Sequence, residues 1–229
     1  MIDSFVFSEG KLVSHNLEWE ALRLARADKG LIVWIDLTAP TEEETKKVLE
    51  QLFEFHPLAI EDCVTRSELS KVEDYEDYLF MIVQSASAGT EKSVQIHELN
   101  MFLGKEFLVT FHQDPIPALT LLKDKVVKGV GLQARGADRL AHQVLDLAAD
   151  SYLPVVDLMT QEMEDVEEKS LGGERKEDLS KRILKARRRL SGLRQILRPQ
   201  RETVARLARG ESKLIRPSWC RISETCRMP

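Results

Sequence analysis

The chain has 229 residues, 43% hydrophobic and 31% charged, with a formal net charge of −5; that length and composition suit a folded chain of one domain or two small ones and exclude an intrinsically disordered one. No apolar run approaches the roughly 18–20 residues needed to cross a bilayer, and the first residues, MIDSFVFSEGKLVSH, lack the organisation of a signal peptide. Three cysteines at 63, 220 and 226 form no CxxC pair and no metal-ligand spacing, so the chain as given reads as soluble and placed in a reducing cytoplasm.

In chain order, short β-rich runs alternate with helical ones. Residues 4–7, 31–37 (LIVWIDL), 78–84 (YLFMIVQ), 94–103 (VQIHELNMFL) and 107–111 (FLVTF) read as strands, the last two joined as a hairpin by GKE. Helices are expected over 17–27, 41–53, 57–63 and 116–128. The second of these opens on a capping box, Thr41 with Glu44 three residues on. Trp34 reads as core, and the mixture predicts an α/β or α+β fold on a mixed sheet.

The stretch FHPLAIEDC, residues 55–63, places Pro57 where a helix tolerates it best, at its first position. The short turn that follows ends on two adjacent acids, Glu61 and Asp62, far from the helix N-terminus where the dipole would favour them. They are either solvated surface or a place a cation visits. An oxygen-only pair suits magnesium, which keeps several waters, better than zinc, which takes His or Cys. His56 is expected to pack or cap beside Pro57. His112 and Asp114 could suggest a catalytic pair, but no nucleophile motif or Gly-rich loop accompanies them, and a loop-capping role is expected. No phosphate loop, triad or metal-binding cluster supports an enzyme.

From about Gly136 glycine and β-branched residues thin out and two long helical patterns follow. The first, 138–170, is acidic, with Asp146, Asp150, Asp157, Glu162, Glu164, Asp165, Glu167 and Glu168, and ends at LGG, residues 171–173. The second, 177–209, is strongly basic. Its apolar positions Leu179, Ile183, Ala186, Leu190, Leu193 and Leu197 step by four and three, a heptad seam that resumes at Val204 and Leu207 after Pro199. An acidic and a basic helix joined by a glycine turn predict an antiparallel hairpin. Nucleic-acid binding is disfavoured, since the basic helix has almost no aromatic residues to stack on bases.

FHPLAIED followed by SKVEDYEDYLFMIV resembles the CorA family of divalent-cation, chiefly magnesium, transporters, whose members carry HPLALED and then PKVE. VWIDL, LNMFLGKEFLVTFHQ, LDLAADSYLPVVDLMTQEMEDVEE and LRQILRPQRETVARLARGE align with further family motifs, collinearly over residues 30–217; Ser70 stands where the family usually has proline. The resemblance implies an α/β/α sandwich with a mixed sheet (residues 1–135) and a long antiparallel helical hairpin (136–217). In the family these lead to a stalk, two transmembrane helices and a Gly-Met-Asn loop, assembled as a homopentamer at the inner (plasma) membrane. None of those later parts is in this sequence, so the chain is expected to be truncated before its membrane segment and mostly monomeric. Residues 218–229, SWCRISETCRMP, carry no helical period; a one-base shift of a GC-rich back-translation gives LVPDFRDVSDA, stalk-like text, and a frameshift is expected.

By the same resemblance, regulatory cation sites lie between subunits. Carried over residue by residue, Asp62 and Glu61 are the metal candidates on the short helix and Asp146 the candidate on the acidic one, with Asp150 and Asp157 left as surface or hairpin-pairing residues. The implied ligand is weakly bound Mg2+, with Co2+ and Zn2+ as alternatives. The intact protein would conduct magnesium, cobalt or nickel; the alternatives are a ZntB-like zinc transporter domain and a stand-alone cation-binding or scaffold module.

Overall fold

The computed structural model describes residues 1–67, 69–89, 93–130, 134–171, 176–210 and 212–216. The glycines at 172 and 173 and the segment 218–229, with its expected frameshift, lie outside the described residues. A seven-stranded sheet runs in the order β2-β1-β3-β7-β6-β5-β4. It comprises β1 (Ile2–Ser8), β2 (Lys11–His15), β3 (Ile32–Thr38), β4 (Lys71–Asp74), β5 (Tyr78–Ala88), β6 (Val94–Gly104) and β7 (Phe107–His112). Only β3 and β7 pair in parallel, so the sheet is mixed as the sequence predicts.

Strand alternation divides the core in two. Val33, Ile35 and Leu37 of β3 join Phe80 and Ile82 of β5 beneath α1 (Trp19–Ala27), α2 (Glu42–Thr45) with its π-helical continuation Lys46–Leu52, and α3 (Pro57–Val64). Trp34 points the other way, into a core shared with Met81, Met101, α4 (Pro117–Val127) and α5 (Ala137–Asp150). Both sheet faces are therefore covered, which is why the central strands are apolar on both sides. Trp34 is fully buried, stacks on Phe5 at 4.8 Å and donates its indole N–H to Thr110 Oγ1 at 3.1 Å. The capping box at Thr41 and Glu44 is present. Gly104 closes the β6–β7 hairpin where a Cβ would overlap the Phe107 ring.

Three features differ from the sequence reading. Strands β2 and β4 are additional; both are edge strands of five and four residues, too short to show a clear period. The single acidic helix expected over 138–170 is two, α5 and α6 (Leu153–Leu171), broken at Ser151 and Tyr152 with Pro154 in the first turn of α6. Finally, α7 (Lys176–Ala208) folds back along α6, and the ion pair Glu162–Arg189 at 2.5 Å joins them, yet only part of the heptad seam is buried. Leu179, Ala186, Leu193 and Leu207 are covered, whereas Ile183 and Leu190 remain 47% and 54% exposed.

Candidate cation-binding site

Helix α3 begins where His56 caps it, its Nδ1 accepting the Leu58 N–H at 3.2 Å, with Pro57 next in line. The His56 N–H donates to the Tyr78 hydroxyl at 2.9 Å, which fixes the helix against the sheet. Ala59 and Cys63 face the core, so Glu61 and Asp62 turn outward at the far end. There they line a cleft of about 410 Å3 with Glu73, Asp74, Tyr75 and Lys71.

The cleft's second wall is β4. Because strand residues two apart share a face, Lys71 and Glu73 both line the cleft, where Lys71 bridges Glu73 and Asp62. The Lys71 ammonium donates to Asp62 Oδ2 at 2.6 Å and to Glu73 Oε1 at 2.8 Å. The Tyr75 hydroxyl donates to Glu73 Oε2 at 3.1 Å. Burial works against the lysine's charge, but the two carboxylates outweigh it and raise the ammonium's pKa. Burial beside Glu73 pushes the Tyr75 phenol up to about 12.

Four carboxylates thus line the cleft, two of them paired with its one ammonium, and all the acidic donors are oxygens. That set fits a hard, hydrated cation such as Mg2+ and lacks the nitrogen or sulfur that zinc would want. It does not make a closed cage: among the described residues no group of three or more His, Cys, Asp and Glu is arranged to hold a metal ion. Any cation here meets Asp62 already paired with Lys71, so binding through its water shell is the arrangement the site can offer.

Asp146 is not part of this cleft. It lies on α5, across the sheet from α3, with Oδ2 2.8 Å from His142 Nδ1 one turn earlier. The structure therefore brings Glu61 and Asp62 together and keeps Asp146 apart from them. Sequence reasoning missed Lys71 and Glu73 as site residues. The SKVEDY motif already placed them two apart, but only recognition of β4 would have turned both toward α3.

A second polar cluster lies inside the fold. Fully buried Asp36 accepts from Thr110 Oγ1 at 2.5 Å and from Lys123 Nζ at 2.7 Å, and lies 3.2 Å from His112 Nε2. Lys123 also holds Asp3 at 2.8 Å. Burial alone would raise the Asp36 pKa; His112 and Lys123 outweigh it and hold the carboxyl down at about 2. His112 Nδ1 donates to the Asp114 carbonyl at 2.7 Å, the loop-capping contact expected of it. With its groups engaged on one another, this cluster ties elements together.

The sequence pattern of the family described as "CorA-like Mg2+ transporter protein" matches residues 29–219. The Bacillus subtilis (strain 168) protein YfjQ is 28% identical over 178 residues, covering 76% of this chain and 53% of that protein. The cobalt/magnesium transport protein CorA of Thermotoga maritima is 23% identical over 190 residues, covering 82% and 54%. The chain thus spans about half the length of these relatives. The solved soluble domain of CorA from Methanocaldococcus jannaschii superposes with a TM-score of 0.79 at 20% identity, over 99% of this chain and 86% of that one, which shows the fold. Among the described residues no helix is long and apolar enough to cross a membrane.

Proposed function

The chain belongs to the CorA-like Mg2+ transporter family, and from that membership we propose that it is the cytoplasmic, cation-sensing part of a divalent-cation transporter whose cargo is Mg2+ or Co2+. It is not an enzyme. In this reading the cleft at the end of α3 holds the regulatory cation: Glu61 and Asp62 accept hydrogen bonds from the waters of a hydrated Mg2+, while Glu73 and Asp74 add negative field. Asp146 serves a separate, weaker position. In a homopentamer on the inner face of the plasma membrane, a neighbouring copy supplies the remaining acids. The domain's own part is to concentrate negative charge at a subunit boundary, so that a cation relieves repulsion there and its loss lets the subunits separate.

One observation carries the assignment: four carboxylates line one open cleft, two of them, Asp62 and Glu73, held on a single ammonium. Of the candidate ions, Zn2+ fits this oxygen set least. Titration calorimetry with MgCl2 on the chain and on Asp62→Ala tests the site. The variant should lose most of the binding heat; identical heats in the two proteins would remove Asp62 from the reading.

A further inference from the structure

The buried half of the α7 seam is used within the chain, with Leu197 packed at its edge against the Ala86, Tyr152, Val155, Met159 and Leu193 cluster, whereas Ile183 and Leu190 are not covered. Beside it, Ile183, Arg187, Leu190, Arg194, Leu197, Arg201 and Val204 follow one another at steps of four and three, a second heptad stripe in which apolar residues and arginines alternate. Ile183 and Leu190 are 47% and 54% exposed, and Arg187, Arg194 and Arg201 are exposed. None of these three arginines forms an ion pair among the described residues, in contrast to Arg189 on the inner face. Arginines scattered over a solvated surface would not keep a heptad phase with apolar residues between them.

Helix α6 carries the complementary stripe. Leu153, Asp157, Thr160, Glu164, Glu167 and Leu171 also step by four and three, and all six are exposed. They lie on the side of α6 away from Val155, Met159 and Val166, the residues it buries. Asp157, Glu164 and Glu167 likewise form no ion pair among the described residues. Seven residues of helix rise about 10.5 Å, so Asp157 and Glu164 have the spacing of Arg187 and Arg194. In the antiparallel register of the Glu162–Arg189 pair, Arg187 falls opposite Glu164 and Arg194 opposite Asp157. Within one chain the two stripes cannot meet, because the faces between α6 and α7 are already taken.

We propose that the apolar-arginine stripe of α7 docks against the acidic stripe of α6 in a second copy of this chain, as an antiparallel helix pair between hairpins. The contact joins two different patches, so it is heterologous and builds rings or head-to-tail chains, unless a two-fold arrangement lets each copy use both patches at once. It is independent of the cation cleft, which lies on α3 and β4. Its ion pairs are at the rim and should make association sensitive to salt.

The test is sedimentation of the full 229-residue chain over a range of concentrations, at low salt and at about 1 M salt, where the Debye length falls to about 3 Å. At low salt the mass should rise with concentration above the 26.1 kDa of one chain, and high salt should return it to that value. Two triple reversals follow, Arg187→Glu with Arg194→Glu and Arg201→Glu, and Asp157→Lys with Glu164→Lys and Glu167→Lys. Each alone should stay at the mass of one chain, and an equimolar mixture should associate again, because the acidified α7 of one now meets the basic α6 of the other. A wild-type chain that stays monomeric at low salt overturns the proposal, as does association that survives high salt or either reversal. If a reversal lowers the thermal midpoint enough to unfold the chain, the wild-type salt series still decides. Loss of association on reversing α7 alone, with the α6 reversal silent, would point to another anionic partner and overturn the second copy as occupant.

Discussion

Lys71 sets the terms on which a cation can reach Asp62. Its ammonium sits 2.6 Å from Asp62 Oδ2 and 2.8 Å from Glu73 Oε1, occupying the direction from which both carboxylates would face an incoming ion. Two unit charges about 4 Å apart interact by about 1 kcal/mol in water and more near a protein surface. Lys71→Met keeps the aliphatic stem and removes that competing charge, so Mg2+ should bind about fivefold tighter or better. Calorimetry on this variant reads it directly; weaker binding would mean that the lysine organises the acids and does not compete for them. At this scale the acid pair was legible, because Pro57 marks a helix start and leaves Glu61 and Asp62 unexplained at its end. The lysine was not legible as a site residue. Only Val72 is buried in β4, and four residues carry too little alternation to announce a strand.

Between elements, the buried tie at Asp36 joins β1, β3, β7 and α4 in a way no local pattern discloses. LIVWIDL reads as a strand whatever its sixth residue does, and the partners of Asp36 lie 74 and 87 residues away at Thr110 and Lys123. Its carboxyl is held at about 2 in the folded chain against an ordinary value near 4. Since the folded pKa is depressed, the stabilisation is fully present above pH about 4 and is lost as pH falls from there toward 2, on the order of 2 kcal/mol in all. Urea unfolding followed between pH 5 and about 2 should show this decline, and Asp36→Asn should flatten it while lowering stability at neutral pH, because Lys123 loses one of its two carboxylates. An unchanged pH profile in the variant would assign the acid sensitivity elsewhere. The break between α5 and α6 has the same origin. An acidic, amphipathic stretch with one proline reads as a continuous helix, and what interrupts it is tertiary: Ser151 accepts the Ala86 N–H at 2.9 Å and Tyr152 reaches the Gln84 carbonyl at 3.2 Å.

Those two contacts belong to a device that joins the hairpin to the sheet. Strand β4 pairs with β5 only as far as Ile82, so beyond it the outer edge of β5 would present bare backbone groups. The helices supply the missing partners. Gln200 of α7 accepts the Gln84 N–H at 2.8 Å and the Ser70 hydroxyl at 3.2 Å, Tyr152 donates to the Gln84 carbonyl, and Ser151 takes the next edge amide at Ala86. Around them Ala86, Val155, Met159 and Leu193 close a small apolar cluster. Sequence periodicity identified the hairpin but could not place it, since these anchors are polar residues on otherwise ordinary helical faces. Gln200 is buried, so Gln200→Leu leaves the Gln84 amide without its acceptor and should cost about 1–3 kcal/mol. Tyr152→Phe removes a single hydroxyl and should cost about 1 kcal/mol. Because both side chains clamp the backbone of the same residue, Gln84, their double variant should lose less than the two single losses added together. Hydrogen exchange supplies the second readout: in Gln200→Leu the amides of Gln84 and Ala86 should exchange faster while those of Trp34 and Val109 in the central strands keep their protection. Uniform acceleration across the sheet would show instead that Gln200 contributes to global stability without anchoring this edge.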